Sequence, residues 1–269
     1  MLSRSGASLA ATVRLASRSA TAAATTAPRF SAAAAAATAS TTASASAAAA
    51  PAADSVPTIT AKDVMAAYQR IKGTVVRSSL QESPALSKLT NCTLFLKNEH
   101  SASVTGSYKE RGALNKLLQL TSEERAKGVI CSSAGNHAQA VSYHSTRLGI
   151  DGVIVMPTTT PHVKVKKTAD FGGRVVQSGE SFAEAYEFAR KMCDYEGRTF
   201  IHAFDDPQIV AGAGTVAIEM IEQNPFLDAI VVPVGGGGLI AGMSLFIKSV
   251  NPRIKVRTHT RSPQSMHCF

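Results

Sequence analysis

This 269-residue chain has no tryptophan, few cysteines, no acidic residue near the N-terminus and no long apolar run. The four cysteines, Cys92, Cys131, Cys193 and Cys268, form no CxxC pair and have no metal-like spacing, so neither a structural metal nor a redox motif is expected. Cys131, inside an apolar run, reads as a buried thiol. No apolar stretch is long enough to span a bilayer, because serine and threonine interrupt the alanine-rich regions throughout. No Asp or Glu precedes Asp54, while Arg4, Arg14, Arg18 and Arg29 stand in a background of Ala, Ser and Thr. That Arg- and Ser-rich, acid-poor composition is the composition of an organelle transit peptide. Residues 1–53 are therefore read as a disordered leader outside the fold, addressed to a mitochondrion before a plastid.

Setting the leader aside removes an argument for nucleic acid. The formal charge is +9, but four of those charges are leader arginines. From Asp54 onward 24 Lys and Arg face 19 Asp and Glu, and the basic residues are dispersed. Neither nucleic acid nor membrane is an expected partner.

What remains suffices for one large or two small cored domains. Thr60 caps a predicted helix over Ala61–Lys72, which Gly73 ends. A short helix around Pro84–Leu89, a strand at Thr93–Lys97 and a helix at Glu110–Leu120 follow, and Thr121 with Glu124 is a capping signal. Then short β-rich runs alternate with helices. The strands are Gly128–Ser132, Gly152–Met156, Arg174–Gln177 and Thr199–Ala203, and the helices Asn136–Leu148, Pro161–Phe171 and Phe182–Tyr195. A helix at Ile209–Gln223, a buried strand at Ala229–Val234, a helix at Leu239–Val250 and a strand starting at Ile254–Val256 complete the pattern. Such alternation indicates βαβ units, hence an α/β fold of parallel sheets covered on both faces, with ligand bound beyond the carboxyl ends of the strands. Arg257–Phe269 is polar and aperiodic, so the last strand lacks a covering helix and the domain reads as incomplete.

Three strand-to-helix junctions carry chemistry. In Thr105-Gly106-Ser107-Tyr108-Lys109-Glu110-Arg111-Gly112-Ala113 a polar turn presents Lys109 at a helix start. The positive end of the helix dipole disfavours a cation there, so a lowered pKa and a nucleophilic amine are expected. Gly235-Gly236-Gly237-Gly238 lies between a strand and the helix that opens at Leu239, where uncovered backbone N–H groups meet a helix N-terminus: a phosphate cradle. It is not a Walker loop, since no Gly-Lys-Ser/Thr follows, and the third glycine of a dinucleotide fingerprint is replaced by Ile240. The third junction is Ser132-Ser133-Ala134-Gly135-Asn136-His137-Ala138-Gln139. Its amides can hold a carboxylate, and the Asn136 side chain can donate to a ring oxygen. A Ser133 nucleophile with a His137 base is not supported, because no GxSxG pattern or orienting acid accompanies them; His137 reads as packed or capping. A lysine for an aldehyde, glycines for a phosphate and an asparagine for a phenolic oxygen together describe a pyridoxal phosphate site.

The stretches TGSYKERGALNKL, CSSAGNHAQA, DDPQIVAGAGT and VPVGGGGLIAG, in that order, resemble the motifs of fold-type II pyridoxal phosphate enzymes, in the threonine ammonia-lyase and serine racemase branch. The resemblance covers about 60–256. It implies two three-layer α/β domains of the tryptophan synthase beta-like kind: a smaller one at 106–205 inserted in a larger, partial one built from 54–105 and 206–257, with an irregular tail at 258–269. It also implies that Lys109 is the Schiff-base residue, that Tyr108 packs on the ring, and that Asn136 meets the ring hydroxyl. Gly235, Gly236, Gly237, Gly238 and the Leu239 N–H would bind phosphate, and Ser133, Asn136 and His137 the carboxylate of a small amino-acid substrate. No metal is implied, and a full-length chain is expected to be a homo-oligomer. Where similar racemases have a serine proton donor before Gly-Asn, this chain has Ala134, which favours elimination of threonine or serine to a 2-oxo acid and ammonia over racemisation. A serine racemase-like enzyme and an inactive cofactor-binding fragment are the alternatives. Ser78-Ser79 and Ala213 depart from the family pattern, and no SGGN-like segment for the pyridine nitrogen occurs in the chain.

Overall fold

A computed structural model describes residues 10–14 and 59–259. The strands are β1 (Ala10–Arg14), β2 (Leu80–Glu82), β3 (Thr93–Lys97), β4 (Val129–Ser132), β5 (Gly152–Met156), β6 (Arg174–Gln177), β7 (Thr199–Phe200), β8 (Ala229–Pro233) and β9 (Lys255–His259). Between them run α1 (Ala61–Ile71), α2 (Pro84–Thr90), α3 (Glu99–Ala102), α4 (Lys109–Leu117), α5 (Ser122–Lys127), α6 (Asn136–Arg147), α7 (His162–Asp170), α8 (Phe182–Glu196), α9 (Pro207–Gln223) and α10 (Gly238–Val250).

β4 to β7 form an all-parallel sheet in the order β6-β5-β4-β7. Its central strands are buried on both faces, and the two-residue period sorts their side chains between two cores. Val129, Cys131, Ile154 and Met156 join α4 and α6 in one, whereas Ile130, Val153 and Val155 meet Ala185, Ala189 and Cys193 of α8 in the other. Each helix between these strands provides the long crossover that parallel pairing needs.

The second sheet has the order β2-β3-β1-β8-β9 and is mixed. Only β8 and β9, joined through α10, pair in parallel. β2 and β3 are antiparallel because the seven-residue α2 between them is too short for a parallel crossover. The parallel expectation therefore holds for one sheet and one edge of the other. A second correction concerns the leader: Ala10–Arg14, read as lying outside the fold, pairs antiparallel with both β3 and β8. The physical reason is that β3 and β8 each present a row of backbone groups requiring partners, which one extended segment between them satisfies. The other leader positions, 1–9 and 15–53, lie outside the described residues. A third concerns the tail, since Thr258 and His259 continue β9; the remaining tail positions, 260–269, are outside the described residues.

The helix α9 organises the packing around the site. It packs on α1, α4 and α10, and Val216, Ala217 and Met220 on it are fully buried against Val64 of α1, Ile230 and Val232 of β8, and Met243 of α10. The α4–α9–α10 seam runs on glycine. A Cβ on Gly212 would lie 2.5 Å from the Arg111 carbonyl oxygen, and one on Gly242 would lie 2.2 Å from that of Val210.

Candidate active site

Lys109 is the first residue of α4, and its half-buried side chain reaches back toward the loop after β7. Its Nζ donates a 2.6 Å hydrogen bond to the Ala203 carbonyl and sits 5.3 Å from the centroid of the Tyr108 ring. Burial pulls the amine down from an ordinary 10.5 to about 8. The lowered pKa expected from the sequence is thus present, with loss of solvation as its cause. Burial also pushes the Tyr108 phenol up to about 12, keeping it neutral.

Below Lys109, α4 is held by a buried charge cluster. The Arg111 guanidinium donates to Glu99 Oε2 at 2.8 Å and Oε1 at 2.9 Å, to Glu219 Oε1 at 2.6 Å and Oε2 at 2.9 Å, and to Thr215 Oγ1 at 3.2 Å. Lys97 Nζ adds 2.7 Å to Glu219 Oε2. Two cations and two anions are thereby neutralised inside the protein, tying β3, α3, α4 and α9 together.

The glycine run caps α10. Gly237 is the N-cap residue at φ 86°, a left-handed conformation open to glycine at no steric cost, and Gly238 begins the helix. First-turn N–H groups there have no acceptor within the helix. Asn136 likewise begins α6, and Ser133 Oγ accepts from the Gly135 N–H at 3.3 Å. His137 is buried; burial takes its imidazole down to about 3, helped by the charge of Lys109. A neutral ring with Nε2 3.0 Å from the Ile201 carbonyl oxygen is the Nε2–H donor, which leaves Nδ1 an acceptor without a partner in the protein.

Tyr108, Lys109, Gly112, His137, Ala203, Phe204, Ile209, Ala213, Gly238 and Leu239 surround one small space of about 10 Å³. Of the residues singled out from the sequence, Tyr108, Lys109, His137, Gly238 and Leu239 come together there. Ser133, Asn136, Gly235, Gly236 and Gly237 do not line this space. Ala203 and Phe204 were missed; the only sequence signal is their position just before the Asp205-Asp206-Pro207 helix start. Phe204 faces the glycine loop directly, so that a Cβ on Gly236 would lie 2.2 Å from Phe204 Cγ and one on Gly238 2.7 Å from the Phe204 carbonyl oxygen. Among the described residues no group of His, Cys, Asp and Glu could hold a metal ion, and no helix is long and apolar enough to cross a membrane.

Comparison with known proteins gives concordant results. The family model described as pyridoxal-phosphate dependent enzyme matches residues 71–266. An L-threonine ammonia-lyase of Thermotoga maritima is 45% identical over 198 residues, covering 74% of this chain and 49% of its own. A biosynthetic, chloroplastic threonine dehydratase 1 of Solanum lycopersicum is 49% identical over 178 residues, covering 66% of this chain and 29% of its own. Among solved structures, maize serine racemase superimposes with a TM-score of 0.71 at 32% identity, covering 74% of this chain and 62% of that one. The chain thus spans about half the length of the Thermotoga relative and less than a third of the tomato one. With its lysine, its glycine-capped helix and the family match over most of its length, the chain belongs to the pyridoxal-phosphate dependent enzymes.

Proposed function

We propose that this chain carries the cofactor-binding half of a threonine/serine ammonia-lyase, which converts L-threonine or L-serine to a 2-oxo acid and ammonia by α,β-elimination. The observation that carries the reading is the approach of a half-buried amine of pKa about 8 to the glycine-capped end of α10, in a family whose cofactor is an aldehyde with a phosphate. The donor set fits that cofactor. Lys109 would hold the aldehyde carbon, the Gly237–Leu239 amides the phosphate, Asn136 the phenolic oxygen and Tyr108 a ring face. A cofactor bound there supplies an electron sink for the carbanion formed at Cα. The protein supplies the proton handling: with a pKa of about 8, about a tenth of the Lys109 amine is neutral at pH 7, against under about one part in a thousand at 10.5. Nζ can therefore take up a proton and return it. His137, held neutral and lining the same space as Lys109, offers Nδ1 as an acceptor, Asn136 begins α6 and Ser133 lies in the turn leading into it, where the amides of the helix start favour a carboxylate.

Several finer points belong to the same proposal. Ala134 offers no hydroxyl to return a proton to the opposite face of the substrate, which favours elimination; the higher identity to the threonine enzymes than to the racemase agrees. Residues 106–205, with the all-parallel sheet, would form the smaller domain, and 54–105 with 206–257 the larger. A homo-oligomer is proposed for the full-length enzyme. The acid-free leader, and a relative named as chloroplastic, support delivery to an organelle, with the mitochondrion our first choice.

The test is incubation of the purified chain with pyridoxal phosphate and L-threonine, followed by borohydride fixation and peptide mass spectrometry. Cofactor fixed at Lys109 and 2-oxobutanoate formed, both lost in Lys109→Ala, is the expected result. D-serine from L-serine would favour the racemase reading, and fixation without turnover an inactive cofactor-binding chain.

A further inference from the structure

Ile201 and Asp206 are fixed points. The Ile201 N–H donates to the Ile130 carbonyl at 2.8 Å and its carbonyl meets His137 Nε2, so it is tied to β4 and α6. Asp206 caps α9, accepting from the Gln208 and Ile209 N–H groups at 2.7 and 3.2 Å, and pairs with Lys116 at 2.8 Å. Between them, His202, Ala203, Phe204 and Asp205 form no regular secondary structure. Their main chain is held locally: His202 Nδ1 accepts from the Asp205 N–H at 2.7 Å and the Phe204 N–H at 3.3 Å, and the His202 and Phe204 rings meet edge-on at 4.7 Å.

This short segment lies across the site. Its Ala203 carbonyl takes the Lys109 amine, its Phe204 ring covers Gly236, and its Phe204 main chain closes on Gly238. Only about 10 Å³ is left free, room for at most one water molecule, whereas small-molecule sites measure roughly 300–1,000 Å³. The same groups that the proposed cofactor needs, the amine and the cradle, are thus engaged by the chain itself.

We infer that residues 202–205 form a displaceable strap that closes the site, with Phe204 as its plug and Ala203 as its latch on Lys109, so that cofactor uptake waits on strap opening. The inference rests on the cofactor reading above for its consequence, but not for its geometry. Displacement needs no change in β4, α6 or α9, because both anchors lie outside the strap; what opening must break is the Ala203–Lys109 hydrogen bond, the packing of Phe204 on Gly236 and Gly238, and the edge-on contact of His202 with Tyr186 of α8. An opening step before binding makes uptake saturate at the opening rate instead of rising with cofactor concentration.

The experiment has two readouts on the 269-residue chain. The first is acetic anhydride labelling of Lys109 by mass spectrometry, with exposed Lys166 as internal reference, in wild type, Phe204→Ala and His202→Ala. Labelling at least tenfold faster at Lys109 in either folded variant, with Lys166 unchanged, is the expected result; equal rates in all three proteins overturn the strap. The second uses wild type alone and follows uptake of pyridoxal phosphate, and of pyridoxal, by absorbance. A rate that plateaus at the same value for pyridoxal phosphate and for pyridoxal supports the strap, because opening precedes either; a rate that stays linear, or plateaus that differ between the two aldehydes, overturns it, even if neither variant folds. The two readings separate cleanly. Faster labelling with no cofactor retained keeps the strap and removes the cofactor reading, whereas linear uptake onto Lys109 does the reverse.

Discussion

Glu219→Gln puts the buried charge cluster to its hardest test. The Lys97 side chain is 0% exposed, Arg111 2%, Glu219 4% and Glu99 5%, so no solvent screens the exchange. The substitution keeps the shape, which removes any cavity contribution, but leaves two cations facing the single carboxylate of Glu99. Removing one partner of a buried pair costs about 3–5 kcal/mol, a large share of a domain's total of about 5–15 kcal/mol. In urea, with a slope of about 2–3 kcal/mol per molar for a chain of this size, the midpoint should fall by about 1–2.5 M. Glu222, one turn along α9, is the control. It pairs with Arg77 at 3.0 Å, but both side chains are roughly half exposed, and Glu222→Gln should cost no more than about 1 kcal/mol. Acid adds a second signature. Burial alone would raise the Glu219 pKa, but the hydrogen bonds and charges of Arg111 and Lys97 outweigh it and hold the carboxyl below its ordinary 4.5. A folded-state pKa below the unfolded one contributes stability that is complete above 4.5 and lost as pH falls through the folded value. The wild type should therefore lose stability in that acid window more steeply than Glu219→Gln. Equal urea midpoints for the Glu219 and Glu222 variants would refute the claim that this cluster is energetically closed to solvent.

Two further outcomes can be checked on the same preparation. Gly242→Ala places a Cβ against the Val210 carbonyl and the Gly214 backbone, and should lower stability by about 2–3 kcal/mol in thermal unfolding; an unchanged Tm would mean the seam can spread. The pH profile of Lys109 acylation should have its midpoint near 8, and a midpoint near 10.5 would show that the amine is solvated.

Much of this fold is legible in the residue pattern because local and global preferences agree. The apolar runs that become β4 and β5 are buried on both sides, that of β8 is buried on one side and half-buried on the other, and α6, α8, α9 and α10 lie within a residue or two of where capping and periodicity put them. Tertiary demands override the pattern elsewhere. β2 is three residues long, too short to carry a period, and β1 sits in a stretch whose Ala, Ser and Thr content has no strand signature. Its pairing comes from two waiting strand edges and not from its own propensity. In the site, Lys109 and the glycine run announce themselves by residue type at a helix start. Phe204 does not, since one aromatic residue in a loop acquires meaning only when folding brings Gly236 against its ring.

The glycine seam between α4, α9 and α10 bears on how this protein can change over time. Because Gly112, Gly212, Gly214 and Gly242 put backbone against backbone, the separation between the helix that begins at Lys109 and the helix capped by Gly237 is set by main-chain thickness. Only α10 turns an exposed face away from the seam, and side chains there do not bear on that separation. The seam acts as a gauge block: a single added methyl group inside it resets the distance on which the chemistry depends.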